Sequence, residues 1–528
     1  MSYRVVIPTA GIGSRLEGLT KYINKSLVGI ANRPTISHLI EQFPKDCEFV
    51  IALGYKGKLV RDFLELAYPD RTFFFADVDP YEGEGSGLGL SLLSCEQYLQ
   101  QPFVFLSCDT LVKGDIPNPD YNWMGYAHRN DLSQYRTLNV DSECVSEICE
   151  KGVVKDNLQA YIGIAGIHDY QQFWQAMNAG ENAAINQGES YGIKAILETS
   201  TISVNEFTWF DTGNLDAIKI AREYYSQPDE PNILEKENEA IWFIGDEVVK
   251  YSDDADFIAN RVKRVEELQG FVPDIYAHRS NMYCYKKVEG DVLSEIVTLS
   301  IFEDFLAKCK DFWIEKKLTS AEKEQFQCNC MSFYNDKTFE RVQLFYENFN
   351  QIDNAEIING EQIPPLQDLL NEIDWNWMSK GLAGRFHGDF HFENILYSKK
   401  DKIFTFLDWR QDFAGDLSIG DIYYDLAKMM HGIIVNHGII ADNQYTASWE
   451  DGKINYSIER KKNLVECEQR LDVWIQENGF DLKKVRILTA LIYLNIAALH
   501  HYPYSILLYG MGKKMLNSEL KGWYGINK

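Results

Sequence analysis

Short, continuous apolar runs dominate the first 225 residues. Arg4 to Ile7, Glu48 to Leu53, Thr72 to Phe75 and Phe103 to Leu106 each read as a strand. Pro34 opens a helix through Phe43, since proline is tolerated in a first helical turn. Apolar strands separated by helices predict a parallel sheet covered on both faces. The polar run Ser226-Gln227-Pro228-Asp229-Glu230-Pro231-Asn232, with its two prolines, reads as a linker. Beyond it, Ala240–Ile244 and Glu247–Tyr251 flank Gly245-Asp246, a hairpin signal. A charged helix follows from Asp254 to Gln269, then a strand from Met282 to Val288. From Leu293 the pattern is helical, interrupted at 387–409.

The chain has 528 residues, more than one core accommodates, so at least two domains are expected. The formal net charge of −26 argues against a nucleic-acid partner and against docking on anionic membranes. The partners expected are small-molecule substrates, with an oligomer left open. No apolar stretch is long enough to span a bilayer. Met1-Ser2-Tyr3-Arg4 leads into a strand rather than a secretory signal. Ten scattered cysteines without CxxC pairs fit a reducing cytoplasm, and Cys328-Asn329-Cys330 is too isolated for a zinc site. A cytoplasmic location is therefore expected.

Candidate chemistry begins at Pro8-Thr9-Ala10-Gly11-Ile12-Gly13-Ser14-Arg15-Leu16. Glycines at 11 and 13 let backbone N–H groups approach phosphates, and Arg15 adds a planar donor. Gly-x-Gly alone is weak, and Leu16 stands where a dinucleotide fingerprint wants glycine. Asp109 follows the strand ending at Leu106, at the carboxyl edge where open sheets bind ligands. With Asp211 it makes a pair of carboxylates suited to Mg²⁺ between anionic phosphates. Taken singly, each of these residues has an ordinary structural explanation as a turn, a cap or a solvated charge.

In order, the Gly11–Leu16 loop, Lys25-Ser26-Leu27, Gly54-Tyr55, the strand ending in Asp109 and Phe210-Asp211-Thr212-Gly213 resemble the sugar-phosphate nucleotidyltransferase family, which includes hexose-1-phosphate and phosphocholine nucleotidyltransferases. The resemblance implies a Rossmann-like, GT-A-like α/β domain over about 1–228. It implies that Ala10, Gly11, Gly13 and Ser14 bind nucleotide, and that Gly87, within Gly85-Ser86-Gly87-Leu88-Gly89, meets the nucleobase. Lys25 and Arg15 would bind the triphosphate and stabilise departing pyrophosphate. Asp109 and Asp211 would hold the metal, and Glu150 and Lys151 would lie by the acceptor. Asn24 replaces the family's usual proline, and Cys108 its usual glycine.

The second constellation is His387-Gly388-Asp389-Phe390-His391-Phe392-Glu393-Asn394, followed by Phe406-Leu407-Asp408-Trp409. Phosphoryl transfer needs a carboxylate to accept a hydroxyl proton and oxygen ligands for Mg²⁺. Asp389 supplies the first, Asn394 and Asp408 the second. A zinc clamp from His387 and His391 would require a helix, which Gly388 and the adjoining strand argue against. His387 reads as a buried residue holding the loop.

This segment resembles the aminoglycoside phosphotransferase and choline kinase family. The resemblance implies a bilobal protein-kinase-like domain over about 233–528, with a small lobe to 292 and a helical lobe from 293. It makes Lys250 the strand lysine that pairs with ATP phosphates and Glu266 its ion-pair partner, with Glu267 adjacent. It also makes Asp425 a brace for the catalytic loop and Tyr285–Gly290 the hinge beside adenine.

Together the two signatures predict a bifunctional enzyme, with Mg²⁺ at both sites. It would phosphorylate a small hydroxyl compound with ATP, then transfer CMP or UMP from CTP or UTP to the phosphate, toward a surface polysaccharide such as capsule. Two alternatives stay open. One is an anomeric sugar kinase joined to a sugar-1-phosphate uridylyltransferase. The other is a regulatory binding protein with one inactive domain, against which all five acid and amide positions (Asp109, Asp211, Asp389, Asn394, Asp408) are present.

Overall fold

The computed structural model describes residues 3–155, 157–226 and 236–524. After Ser226, the expected linker lies outside the described residues. By packing, the chain divides into Met1–Ile258 with Ile275–Lys287, and Ala259–Asp274 with Val288–Lys528.

The first unit is built on a nine-stranded sheet. Its spatial order is Phe73–Asp77, Glu48–Leu53, Arg4–Pro8, Phe103–Leu106, Leu158–Ile167, Trp123–Ala127, Ser203–Glu206, Cys144–Cys149 and Thr137–Asp141. The first four strands are parallel, as their apolar runs predict. The remainder is mixed rather than parallel. Leu158–Ile167 runs antiparallel to three neighbours, and Thr137–Asp141 forms a hairpin with Cys144–Cys149. Parallel pairing needs a long crossover, and the short connection at Ser142-Glu143 allows only an antiparallel return. A separate two-stranded ribbon pairs Thr110–Lys113 with Thr208–Asp211, with Thr110 opposite Asp211. That register brings Asp211 beside the residue that follows Asp109.

Pro34 caps the helix Thr35–Ile40, which ends three residues short of the Phe43 expected. Glu239–Ile244 and Glu247–Ser252 form the predicted hairpin. Met282–Lys286 and Ile275–Arg279 complete a four-stranded antiparallel sheet, the last strand having escaped the apolar pattern. Trp242, Val249 and Met282 of this sheet share one core with Val5, Ile51 and Phe63. Trp242 meets Phe63 of the helix Gly57–Ala67 edge to face, 5.2 Å between ring centres. Packing therefore divides the chain differently from the sequence-order boundary at 228–233.

The second unit is mainly helical. The hairpin of Ile395–Ser398 and Ile403–Phe406 flanks the segment expected to carry chemistry. Phe390, within that segment, is stacked on Phe312 at 5.7 Å and edge-on to Phe406 at 4.9 Å. Burying several aromatic rings in one cluster gives the loop a rigid floor. All ten cysteines are free thiols. Among the described residues, no helix is long and apolar enough to cross a membrane.

Candidate active sites

In the first unit the glycine loop leaves the strand Arg4–Pro8 and becomes a 3₁₀ helix at Ser14–Thr20. Gly13 has φ +73°, and a Cβ there would stand 2.9 Å from the Lys25 Cβ. Glycine is thus required both by conformation and by the approach of Lys25. Gly11, Ser14 and Arg15 are exposed, whereas Ala10 is buried. Tyr55 N donates to Ala10 O at 2.9 Å, closing the loop onto Gly54-Tyr55.

Asn24, the departure from the family pattern, is fully buried. Its amide donates to Thr9 O at 2.9 Å and Tyr55 O at 2.6 Å, and its Oδ1 accepts from Ser26 N at 2.9 Å. It ties together the loop, the strand end and the segment that begins with Lys25. Proline has no side-chain amide to make these bonds.

Lys25 Nζ lies 3.6 Å from Asp109 Oδ2. Burial opposes the lysine's charge, but Cys108 and Asp109 outweigh it and raise the pKa above the ordinary lysine range. Burial likewise opposes ionisation of Asp109, yet Lys25, the Ser107 hydroxyl (2.6 Å) and Arg15 hold its pKa below the usual value. Asp211 goes the other way. Burial and the nearby Asp109 raise its pKa, against the Gly213 N–H at 2.7 Å, the Tyr135 hydroxyl at 3.3 Å and Arg15. A Cβ on Gly213 would fall within 3.5 Å of Asp211 Oδ1, Arg15 Nη2 and Asp109 Oδ2 together. Four charged groups on separate segments therefore converge at one point. Two carboxylates with opposed shifts form a donor set that fits a hard divalent cation.

The other expected residues of this unit are placed unevenly. Glu150 is exposed and bridges Arg136 at 3.1 Å and Lys194 at 2.6 Å, while Lys151 is exposed. A Cβ on Gly87 would meet Ile185 O at 2.4 Å, so close packing on the helix Glu181–Gln187 already requires glycine there. Sequence reasoning passed over Glu189. It is buried, its pKa is raised chiefly by desolvation, and Arg136 Nη1 lies 4.0 Å away. In sequence it reads only as an acid in a helix's first turn. Lys250 is buried on its strand, with Nζ 5.9 Å from the centre of the Tyr285 ring.

In the second unit, 387–394 is an extended loop with one 3₁₀ turn at Phe392–Asn394, so no helical His-x-x-x-His face forms. His387 is fully buried. Its Nδ1 accepts from Asp389 N at 3.2 Å, leaving Nε2 to donate to Leu407 O at 2.8 Å. Burial depresses its pKa to about 3, so the ring is neutral and serves as a strut. Asp425 receives His387 N and Gly388 N at 2.7 Å each and Trp313 Nε1 at 3.1 Å, bracing the loop as expected. Burial raises its pKa to about 6 against those donors.

Asn394 Nδ2 donates to Asp389 O at 2.9 Å and lies 3.2 Å from Asp389 Oδ2. Asp408 adopts φ +57°, a left-handed conformation that costs free energy in a non-glycine residue. Arg261 Nη1 pairs with its Oδ1 at 3.4 Å. Asp389, Asn394 and Asp408 are thus gathered by one loop-and-hairpin unit, since Leu407 N bonds Asn394 O at 2.7 Å. An amide oxygen on Asn394 and a carboxylate on Asp408 are the donor types that a hard divalent cation takes.

Two neighbours were not anticipated. Lys428, on the helix Ile422–Ile434, sits 2.7 Å from Asp389 Oδ1. With His391 it overcomes the burial penalty and holds the Asp389 pKa well below the usual range. Arg264, buried on the helix Ala255–Leu268, donates to the carbonyls of Phe386, Arg410 and Leu417. Glu266, two positions on, falls about 200° around the helix and is exposed. Its neighbour Glu267 pairs with Lys316 at 3.3 Å. The helix face turned to the 387–410 segment is therefore the one carrying Arg261 and Arg264.

Comparison with known proteins agrees with both halves. Residues 339–457 match the model of the APH family, described as the phosphotransferase enzyme family. The chain is 23% identical over 158 residues to a D-glycero-alpha-D-manno-heptose 1-phosphate guanylyltransferase of Campylobacter jejuni, covering 29% of this chain and 70% of that protein. It is 22% identical over 204 residues to UTP–glucose-1-phosphate uridylyltransferase 2 of Streptococcus pyogenes, covering 34% and 68%. A solved CTP:phosphocholine cytidylyltransferase from Streptococcus pneumoniae aligns at 17% identity with TM-score 0.36, covering 42% of this chain and 99% of that one. The chain thus joins a region of nucleotidyltransferase homology to an APH phosphotransferase family domain.

Proposed function

We propose that the chain catalyses two consecutive reactions, phosphorylation of a small hydroxyl compound by ATP and transfer of CMP or UMP from CTP or UTP to the resulting phosphate. The observation that carries this reading is the convergence of Arg15, Lys25, Asp109 and Asp211 in one unit, together with the loop holding Asp389, Asn394 and Asp408 in the other.

In the phosphotransferase step Asp389 orients the acceptor hydroxyl and takes its proton. The acceptor oxygen bonds to the γ-phosphorus as the bond to the bridging oxygen breaks and ADP leaves. Lys428 keeps Asp389 ionised and fixed. On this reading Lys250 would be the lysine that meets the ATP phosphates. In the nucleotidyl step an oxygen of the phosphate ester attacks the α-phosphorus in line. Lys25 and Arg15 stabilise the charge gathering on pyrophosphate, which is chiefly positioning and charge neutralisation. Mg²⁺, held by Asp109 and Asp211 in one unit and by Asn394 and Asp408 in the other, would screen the phosphate charges. The product would serve as an activated donor for a surface polysaccharide such as capsule, made in the cytoplasm.

The activities of the heptose 1-phosphate guanylyltransferase and the glucose-1-phosphate uridylyltransferase, both acting on sugar 1-phosphates, favour a second reading. In it the alcohol is a sugar phosphorylated at its anomeric hydroxyl.

Paired variants test the assignment. Asp389→Asn should lower ATP-dependent phosphorylation by about 10²–10⁴-fold and spare pyrophosphate release from a supplied phosphate ester. Asp211→Asn should do the reverse. Loss of both activities in either variant contradicts two independent sites.

A further inference from the structure

In a chain of net charge −26, the surroundings of Asp389 are cationic. Lys428 already neutralises that carboxylate at 2.7 Å. Beyond it stand Lys337, Arg341 and Arg410. Lys337 Nζ lies 4.3 Å from the centre of the Phe333 ring, and the guanidinium carbon of Arg410 lies 4.9 Å from the same centre. Arg341 follows Lys337 by one turn on the helix Lys337–Phe349. Arg410 is anchored by its backbone N to His387 O at 2.8 Å and by its Nε to the backbone carbonyl of Asp412 at 3.1 Å. Among the described residues, no carboxylate forms an ion pair with Lys337, Arg341 or Arg410.

Stacking of a cation on phenylalanine is common and by itself says nothing of a ligand. Here two cations share one ring, and like charges gathered without an ion-paired carboxylate of their own repel. Burial, Arg410, Lys428 and Arg341 together depress the Lys337 pKa to about 7, with Asp389 opposing them. A packing role does not require that arrangement, whereas an incoming anion would relieve it. The backbone also departs from α-helix here. A π-helical turn at Ser332–Asp336 immediately precedes Lys337 and carries Phe333 onto Phe413 at 4.6 Å and Tyr424 at 4.9 Å. Such turns occur frequently at functional sites.

We propose that the acceptor of the phosphotransferase site is an alcohol that already bears an anionic group, a carboxylate or a phosphate, bound by Lys337 and Arg410 with Arg341 beside them. This rests on the phosphotransferase reading and gives it a substrate class. The hydroxyl of such an acceptor meets Asp389 while its anion sits on the cations. The hydroxyl proton passes to Asp389, the new oxygen–phosphorus bond forms as the bond to ADP breaks, and the product carries both its original anion and the new phosphate. An amino alcohol such as choline is disfavoured by the same charges.

The test measures ADP formation by the full chain with ATP and acceptors matched in skeleton but not in charge. Glycerate and glycerol 3-phosphate are compared with glycerol and 2-amino-1,3-propanediol. Glucuronate and glucose 6-phosphate are compared with glucose and glucosamine. In at least one series an anionic member should exceed its neutral partner in kcat/KM by about tenfold or more, the size of one charge-assisted hydrogen bond, with the amine lowest. The carboxylate and phosphate arms tell which anion is preferred. Lys337→Gln and Arg410→Gln should each raise the acceptor KM by about tenfold and leave the KM for ATP unchanged, while Lys337→Arg retains binding. Pyrophosphate release by the other unit should stay constant, showing that the variants fold.

Preference for neutral or cationic alcohols would overturn the proposal. So would a rise in the KM for ATP with the acceptor KM unmoved, which would assign the cations to the γ-phosphate. If the chain binds ATP but phosphorylates no alcohol of any charge, the phosphotransferase reading itself fails and the proposal with it.

Discussion

Asn24 and Asp425 show how a single polar side chain can hold a loop in place. Asn24 joins Thr9, Tyr55 and Ser26 from a fully buried position. Asn24→Ala takes the side-chain donor from one buried carbonyl, Thr9 O, and one part-buried carbonyl, Tyr55 O, and should cost on the order of 2–4 kcal/mol, read as a fall in the unfolding midpoint of the first unit and a raised KM for nucleotide. Asp425 makes a pH-dependent contribution. Its folded pKa, about 6, exceeds the ordinary 3.8. A raised acid contributes stability that is fully present below the unfolded pKa and is lost as pH rises through the folded value. From pH 5 to pH 7.5 the wild type should therefore lose about 1.4 kcal/mol relative to Asp425→Asn, measured by denaturant unfolding at both pH values. A constant difference would mean that Asp425 is not buried in this way. At this scale the sequence offered Asp109, Asp211, Asp389, Asn394 and Asp408 as candidates because they sit in local motifs, and the fold gathers the first two at one point and the other three in one loop-and-hairpin unit. The sequence did not show Lys428, Glu189 or the Lys337–Arg410 cluster, whose partners come from distant segments and whose spacing carries no pattern.

Elements were legible where one periodicity governed them. The four parallel strands and the hairpin at 239–252 follow from apolar runs and a Gly245-Asp246 turn. The mixed half of the large sheet was not legible, because antiparallel return depends on connections rather than on strand composition. The helix Ala255–Leu268 is legible in the sequence, but the face it turns to the candidate loop at 387–394 is not. Glu266 was expected to matter, yet the buried residue is Arg264. Arg264→Gln removes a buried cation from three carbonyls. It should lower phosphotransferase activity by about tenfold or more and leave Glu266→Gln near wild type by comparison, both read as kcat for ADP formation. Equal losses in the two variants would restore the glutamate.

Across the whole molecule, the small antiparallel sheet shares its core with the nucleotidyltransferase-like unit, a feature that chain order conceals. Trp242→Ala should destabilise that unit by about 3–5 kcal/mol and bring down the temperature at which pyrophosphate release is lost. Both candidate sites are charge-dense islands in an acidic chain, which fits phosphate chemistry in each. The central claim is that one chain first makes a phosphate ester and then loads it onto a nucleotide. The most direct test is phosphorus NMR of the wild-type protein with Mg²⁺, ATP, CTP, UTP and the acceptor panel. The account predicts ADP and a new phosphomonoester signal first, then pyrophosphate and a diphosphate-diester signal as the monoester declines. Pyrophosphate and diester signals absent from every mixture in which the monoester accumulates would contradict it.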